Sequence, residues 1–338
     1  TTQHLSGFQT RVTNPRGQQT LTTSYLAFDE PTYEWPRGIN HPEGAYTTIY
    51  RNIFSNPWAI ARFSAGNALR QTRWYVYDEH QQLCKTIEDE SRATVMHYDG
   101  AGNMDWSAGG LGLASSTDCQ YSDPRIAARK VTRSYDARNR IKSLVFPDHR
   151  GDTTYTYTPD SKLSSITADN GATNQVTTEY TYNRRRLMTG ERLMWGTINW
   201  PVTYVYNGNG HLSAQKWHGL NITYAPNALG QPTQAGTYAS NVTYHPNGAI
   251  KSFTYGNNIN HTLTQNVRGL PDRSRDVYGS KVFLDDGYDY DQNGNVAAIS
   301  DGLAGNRGDR TMSYDGLDRL TQTVSPMFGT AGYTYDAL

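Results

Sequence analysis

Along most of the chain apolar and polar positions alternate, and the alternation is interrupted at short, regular intervals. Tyr288-Asp289-Tyr290-Asp291-Gln292-Asn293-Gly294-Asn295-Val296 shows the unit most clearly. Side chains of an extended strand alternate faces, so Tyr288 and Tyr290 fall on the same side. Asp291 and Gly294, with two variable residues between them, carry the composition of a type I turn: the Asp bonds back onto nearby backbone and the Gly accepts a positive φ. The pattern predicts a hairpin. Beyond the turn, Val296 and Ile299 are three apart, which breaks alternation and predicts a bulge or bend in the returning strand.

The phrase recurs down the chain. Its last aromatic residue falls at Tyr77, Tyr98, Tyr135, Tyr157, Tyr182, Tyr206, Tyr224, Tyr244, Tyr290, Tyr314 and Tyr335, with most intervals between 18 and 25 residues and a degenerate copy near His261–Gly269. A first aromatic precedes it at Tyr75, Tyr155, Tyr180, Tyr204, Tyr288 and Tyr333, and an acid opens the turn at Asp78, Asp99, Asp136, Asp291 and Asp315. Gly102, Gly210, Gly248 and Gly294 close it; Asn139 and Asp318 stand in the same place, and both types tolerate the left-handed conformation. Pro159, Pro226 and Pro246 occupy the second turn position, where their fixed φ suits a type I turn. The spaced apolar pair returns as Ile141 with Leu144, Leu163 with Ile166, and Ile250 with Phe253. Looser turns such as Asn14-Pro15-Arg16-Gly17 and Asp148-His149-Arg150-Gly151 link one unit to the next. Fixed-period self-similarity decides fold class before any local reading does. The expectation is an all-β chain, an extended antiparallel ribbon of β-hairpin repeats in which neighbours stack because no unit buries its face alone, and which curls because sheets twist.

Residues 1–72 read as degenerate repeats or a flanking or plug segment, rich in Pro31, Trp35, Pro36, Pro42, Pro57 and Trp58. Residues 73–338 read as the repeat array, with an insertion at about 107–130 whose Gly109, Gly110 and Gly112 suggest a flexible surface loop. No helical period runs beyond a turn or two. The missing initiator Met and the ending inside Tyr333-Thr334-Tyr335-Asp336-Ala337-Leu338 read as a fragment of a longer polypeptide.

Composition fits a thin sheet rather than a thick core: 25 Tyr stand against 8 Phe, hydrophobic residues are 36%, and 31 basic residues balance 31 acidic ones. Zero net charge argues against nucleic-acid binding through a broad basic footprint. The densest basic run, Arg184-Arg185-Arg186, reads as a solvated turn tip. No stretch is apolar enough for a membrane span. Cys84 and Cys119 leave a bond or two free thiols open.

Candidate chemistry is sparse. Asp289-x-Asp291-x-Asn293-Gly294 begins like a calcium loop, but Ser300 stands where the bidentate Glu belongs. The nine histidines form no zinc pattern, and neither a nucleophile elbow nor a phosphate-binding loop occurs. His97 and His245 read as substitutes for repeat residues, and Asp285-Asp286 as loop solvation. No catalytic residue, metal site or cofactor is assigned. Trp195, Trp200 and Trp217 are candidates for stacking sugars, against the alternative of packing across neighbouring strands.

Tyr-x-Tyr-Asp-x-x-Gly-Asn/Arg-Leu/Ile at this period resembles the bacterial RHS, or YD-repeat, family over about Thr10–Leu338, with Glu30–Arg70 poorly matched. The resemblance implies a ribbon wound into a hollow shell around a C-terminal toxin or effector cargo. It also implies a bacterial protein that is secreted or held at the cell surface, partnered by the rest of its own polypeptide. The family's D-P-x-G self-cleavage motif is absent: Asp123-Pro124 is followed by Arg125 and Ile126. The leading expectation is structural wall without enzymatic activity. A surface carbohydrate-binding or adhesion module, or a polysaccharide-degrading enzyme on the same sheet, are the alternatives. Unpaired terminal strands predict edge-to-edge self-association or capping by the termini.

Overall fold

The computed structural model describes residues 1–27, 30–68, 70–171, 174–303 and 307–335, with backbone alone at 25–27, 30 and 31; Asp336, which closes the last phrase, lies outside them. The regular secondary structure is almost entirely strand, in two antiparallel sheets of 19 and 9 strands. The described helices are the short 3-10 turns Pro42–Gly44, Ala65–Asn67 and Pro124–Arg129. Two compact units are present, one made of Thr1–Trp74 with Asn241–Leu338, the other of Tyr75–Ser240.

Within each unit, strands pair with their neighbours in sequence. Asp152–Tyr157 pairs with Leu163–Asp169, which pairs with Gln175–Tyr182, which pairs with Met188–Trp195. The strands meander because most described connections between them are tight turns. Asp99 shows how each turn forms: its backbone N–H donates to Asn103, its carbonyl accepts from Gly102, and its Oδ1 accepts from the N–H groups of Ala101 and Asn103. Asp136, Asn183, Asn207 and Asp315 make the same pair of side-chain contacts. This ring forces the fourth turn residue to positive φ, 81° at Gly102 and 57° at Asn139. Gln81, Ser161 and Arg186 accept it as well, at 61°, 68° and 66°, so the hydrogen-bonded ring overrides residue preference.

The aliphatic spacing of three is realised as a bulge. Thr156 faces Ser165 while Tyr157 faces Leu163, leaving Ser164 as the extra residue. The same shift leaves Asp105, Thr189, Ser213, Ala297 and Thr321 extra in their strands.

In the proline-rich stretch the register between Gln19–Ala27 and Glu30–Asn40 shifts twice, around the pairing of Ser24 with Pro36. Proline lacks the ladder N–H, so pairing there is irregular. The stretch is nonetheless strand within the same meander.

Two expectations are corrected by burial. The glycine-rich insertion is packed, not loose. Gly109 and Gly110 lie in the strand Met104–Leu111, and Leu111, Leu113 and Ile126 join Ala93, Val95, Trp106 and Ala108 in a buried cluster. Asp123 caps the 3-10 turn by accepting from the Arg125 N–H, and a disulfide joins Cys84 to Cys119 with Cα atoms 5.5 Å apart. Apolar residues scattered among the glycines drive this packing, and their spacing follows no simple period. Asp285 and Asp286, in turn, are in the strand Lys281–Tyr290 and only 6% exposed each. Burial is tolerated because arginines meet them: Arg273 Nε and Nη2 lie 2.6 and 2.7 Å from the Asp285 carboxylate, and Arg307 Nη2 lies 2.6 Å from Asp286.

Candidate functional site

The repeat tyrosines tie each unit to the one before it. Tyr98 donates its hydroxyl to the Leu83 carbonyl at 3.0 Å, Tyr135 to Met104 at 2.9 Å, Tyr157 to Ile141 at 2.8 Å, Tyr182 to Leu163 at 2.9 Å and Tyr206 to Met188 at 2.7 Å. Tyr314 to Val296 and Tyr335 to Leu320 repeat the bond in the other unit. The acceptor each time is the first aliphatic residue after the preceding turn, just before the bulge, where the ladder is broken and a carbonyl is free to accept. Burial pushes the hydroxyls of Tyr98, Tyr157, Tyr182 and Tyr314 above the ordinary tyrosine range. His245 acts as a substitute, its Nε2 lying 2.8 Å from the Leu263 carbonyl.

Arginines stitch the turns to each other. Arg138 reaches the Pro159 carbonyl at 3.0 Å, Arg185 the Gly208 carbonyl at 2.8 Å and Arg268 the Asp291 carbonyl at 3.1 Å. Arg186 donates to the Asp160 carbonyl and pairs with its carboxylate. The run at 184–186 is exposed at its turn, as expected, and Arg185 and Arg186 use that position to connect neighbouring turns. Arg140 also lies over the Tyr157 ring, 4.2 Å from its centroid.

The three tryptophans come together on one face. Leu193 faces Trp200, Trp195 faces Ile198, and Val202 faces Trp217. Directly paired residues share a face and so do residues two apart, which places Trp195, Trp200 and Trp217 in a diagonal line across three adjacent strands. Diagonal neighbours stand roughly 7–8 Å apart. The three residues are 49%, 43% and 48% exposed. Beside them on the same face lie polar groups that hydrogen-bond in pairs: Tyr204 donates to Glu191 at 2.9 Å, and Tyr224 to Gln215 at 3.0 Å. Burial and the Glu191 carboxylate push Tyr204 up to about 12.

A cleft of about 710 Å³ opens between the insertion and two repeat turns, lined by Asp78, Tyr98, Asp99, Asp118 and Tyr121 among others. Its floor was not legible in the sequence. His97 Nδ1 is 2.7 Å from the carboxylate of the bulge residue Asp105, and the His97 ring stacks on Trp106 with Tyr121 edge-on to both. Burial, with Asp78 adding to it, pushes Tyr121 up to about 12. Lys85 is wholly buried, its Nζ donating to the Asp118 carbonyl and, at 2.7 Å, to Gln120 Oε1. Burial pulls this amine below the ordinary lysine range against the opposing pull of Asp118. The one signal for this assembly was Cys84 beside Lys85 with a second cysteine 35 residues on.

The calcium-like phrase has no free ligand set, since Asp291 Oδ1 accepts from the N–H groups of Asn293, Gly294 and Asn295. Among the described residues no group of three or more His, Cys, Asp or Glu side chains is placed to hold a metal ion, and no helix is long and apolar enough to cross a membrane.

No family model and no curated protein matches the chain. Solved structures do. It is similar to a chain of the TcdB2-TccC3-Cdc42 crystal structure, with a TM-score of 0.61 and 14% identity over 97% of this chain and 21% of that one. A chain of the Photorhabdus luminescens Tc holotoxin pore gives 0.61 and 12% over 93% and 18%. The TcdB2-TccC3 crystal structure gives 0.60 and 13% over 97% and 21%. At such identities the likeness is one of fold, and the chain spans about a fifth of the length of the chains it matches.

Proposed function

We propose that the chain is a wall segment of an RHS-type shell, part of a larger secreted bacterial protein that encloses a C-terminal toxin or effector cargo. The observation that carries this reading is the match of 97% of the chain to one fifth of a much longer toxin-complex chain. Local chemistry supports it. The tyrosine hydroxyls and turn arginines work between repeats, so the residues the sequence repeats most faithfully serve propagation of the sheet. Partnership with the remaining polypeptide follows from the same reading.

Electron microscopy of the full-length parent polypeptide tests it. A closed, hollow particle with internal density is the expected image; an open rod or solid globule would remove the shell reading.

A second reading has its own support, the diagonal of half-exposed tryptophans. Large rings flanked by planar hydrogen-bonding groups suit the apolar face and hydroxyl rim of a pyranose, and this would make the face a glycan contact of the wall. The expected result on a glycan array is binding by the purified chain that Trp200→Ala weakens at least about tenfold, or roughly 1.4 kcal/mol. Equal binding by the variant would leave the rings as packing alone.

A further inference from the structure

In the unit formed by Thr1–Trp74 and Asn241–Leu338, a cavity of about 570 Å³ lies between the strands around residues 39–63 and the segment that carries Leu317, Arg319 and Tyr335. Ligand cavities run from roughly 300 to 1,000 Å³ and are mostly apolar with a few aimed polar groups. Register explains the apolar wall. Ile49 faces Ile60, Ile39 faces Thr47 and Thr47 faces Arg62, so three isoleucines and one arginine share a sheet face. The Tyr46 and Phe63 rings, stacked with centroids 4.4 Å apart, also line it.

The polar groups of the cavity are committed to neighbours, with one exception. His41 Nε2 is 3.0 Å from Thr47 Oγ1, and burial, helped by the charge of Arg62, holds this histidine below its ordinary value and so neutral. Glu43 accepts from the Gly316 N–H at 2.7 Å. Arg319 pairs with Asp315 at 2.7 Å and lies over the Tyr335 ring, whose hydroxyl donates to Leu320. The Tyr46 hydroxyl donates to Asn67. Arg62 is left: it lines the cavity, and its guanidinium has no hydrogen-bond or ion-pair partner among the described residues.

We propose that this cavity binds a small amphipathic carboxylate, its apolar body against Ile39, Ile49 and Ile60 and its carboxylate paired with Arg62. An uncommitted guanidinium at the edge of an apolar wall selects an anion, and its planar fork matches two carboxylate oxygens. A neutral apolar ligand would gain nothing from Arg62, and a cation would be repelled by it.

Isothermal titration of the full chain with decanoate, 1-decanol and decylamine tests the proposal. Decanoate is expected to bind at least about tenfold tighter than decanol, with decylamine weakest. Arg62→Gln, at an exposed side chain whose loss leaves the fold intact, should bring decanoate down to the decanol level. Ile60→Trp, which fills the space, should weaken both. Equal affinity for all three probes, a preference for decylamine, or a decanoate preference that survives Arg62→Gln would overturn the assignment. None of these outcomes depends on whether the parent protein forms a shell.

Discussion

At the residue scale the molecule depends on recurring tyrosine hydroxyls and on a side-chain oxygen, carboxylate in some repeats and amide in others, that closes each such turn. The hydroxyl of Tyr182 reaches the Leu163 carbonyl of the preceding unit, so Tyr182→Phe removes a single bond with little change in shape. A net loss of about 1 kcal/mol is expected, read as a shift in the denaturant midpoint without a change in slope. The turn carboxylates make stability pH-dependent. Asp136 is held down to about 2, chiefly by the Arg140 side chain and then by backbone N–H groups. A folded value below the unfolded one stabilises the folded chain above about pH 4, and that contribution disappears as pH falls through about 2. Carboxyl titration by NMR should place Asp136 there, and Arg140→Gln should move it upward.

At the element scale the hairpin was written plainly in the sequence. Paired tyrosines, an Asp-x-x-Gly turn and apolar residues three apart specify strand, turn and bulged return, and Ser164 and Thr189 sit where that spacing requires an extra residue. The insertion was not legible, because glycines 109, 110 and 112 dominate its composition while Leu113 and Ile126, which bury it, follow no period. Tyr121 and His97 meet across 24 residues of sequence, and nothing local links them. The tryptophans were found by sequence, but their common face depends on strand register, which fixes the diagonal only once pairing is known. The disulfide closes a 35-residue separation, for which chain-entropy arguments give about 4 kcal/mol. Cys84→Ser should therefore raise hydrogen exchange across residues 112–129, where Lys85 would also lose its acceptors Asp118 and Gln120, while the exchange of the strand Gln175–Tyr182 stays unchanged.

At the scale of the whole molecule, the two sequence-distant stretches of one unit meet through their turns. Arg16 donates from Nη1 to the Asp315 carbonyl and Asp318 Oδ1, each at 3.0 Å, and from Nη2 to the Tyr314 carbonyl at 3.1 Å; its backbone N–H donates to Asn293 Oδ1. The turn Asn14-Pro15-Arg16-Gly17 thus contacts the later turns much as Arg138 and Arg268 do along the array. Arg16→Ala should destabilise this unit by about 2 kcal/mol, since several bonds involve charge but remain partly wet. Limited proteolysis should then release the first 74 residues earlier than in the parent. The terminal strands carry the expectation of self-association, which analytical ultracentrifugation of the purified chain would read as mass rising with concentration.

The nearest-neighbour meander has a mechanical consequence. Because within each sheet strands are bonded to those beside them in sequence, tension applied at the two ends loads the outermost hairpins in peeling rather than in shear, so ladder bonds yield a few at a time. In an optical trap the chain should first show one larger rip as the Arg16 contacts part, then a train of small extensions of similar length, each one repeat paying out, except between Cys84 and Cys119, where the disulfide withholds the loop. Strands paired in this way peel off at modest force and, on slackening, re-form against their sequence neighbours, the distant Arg16 contacts closing last.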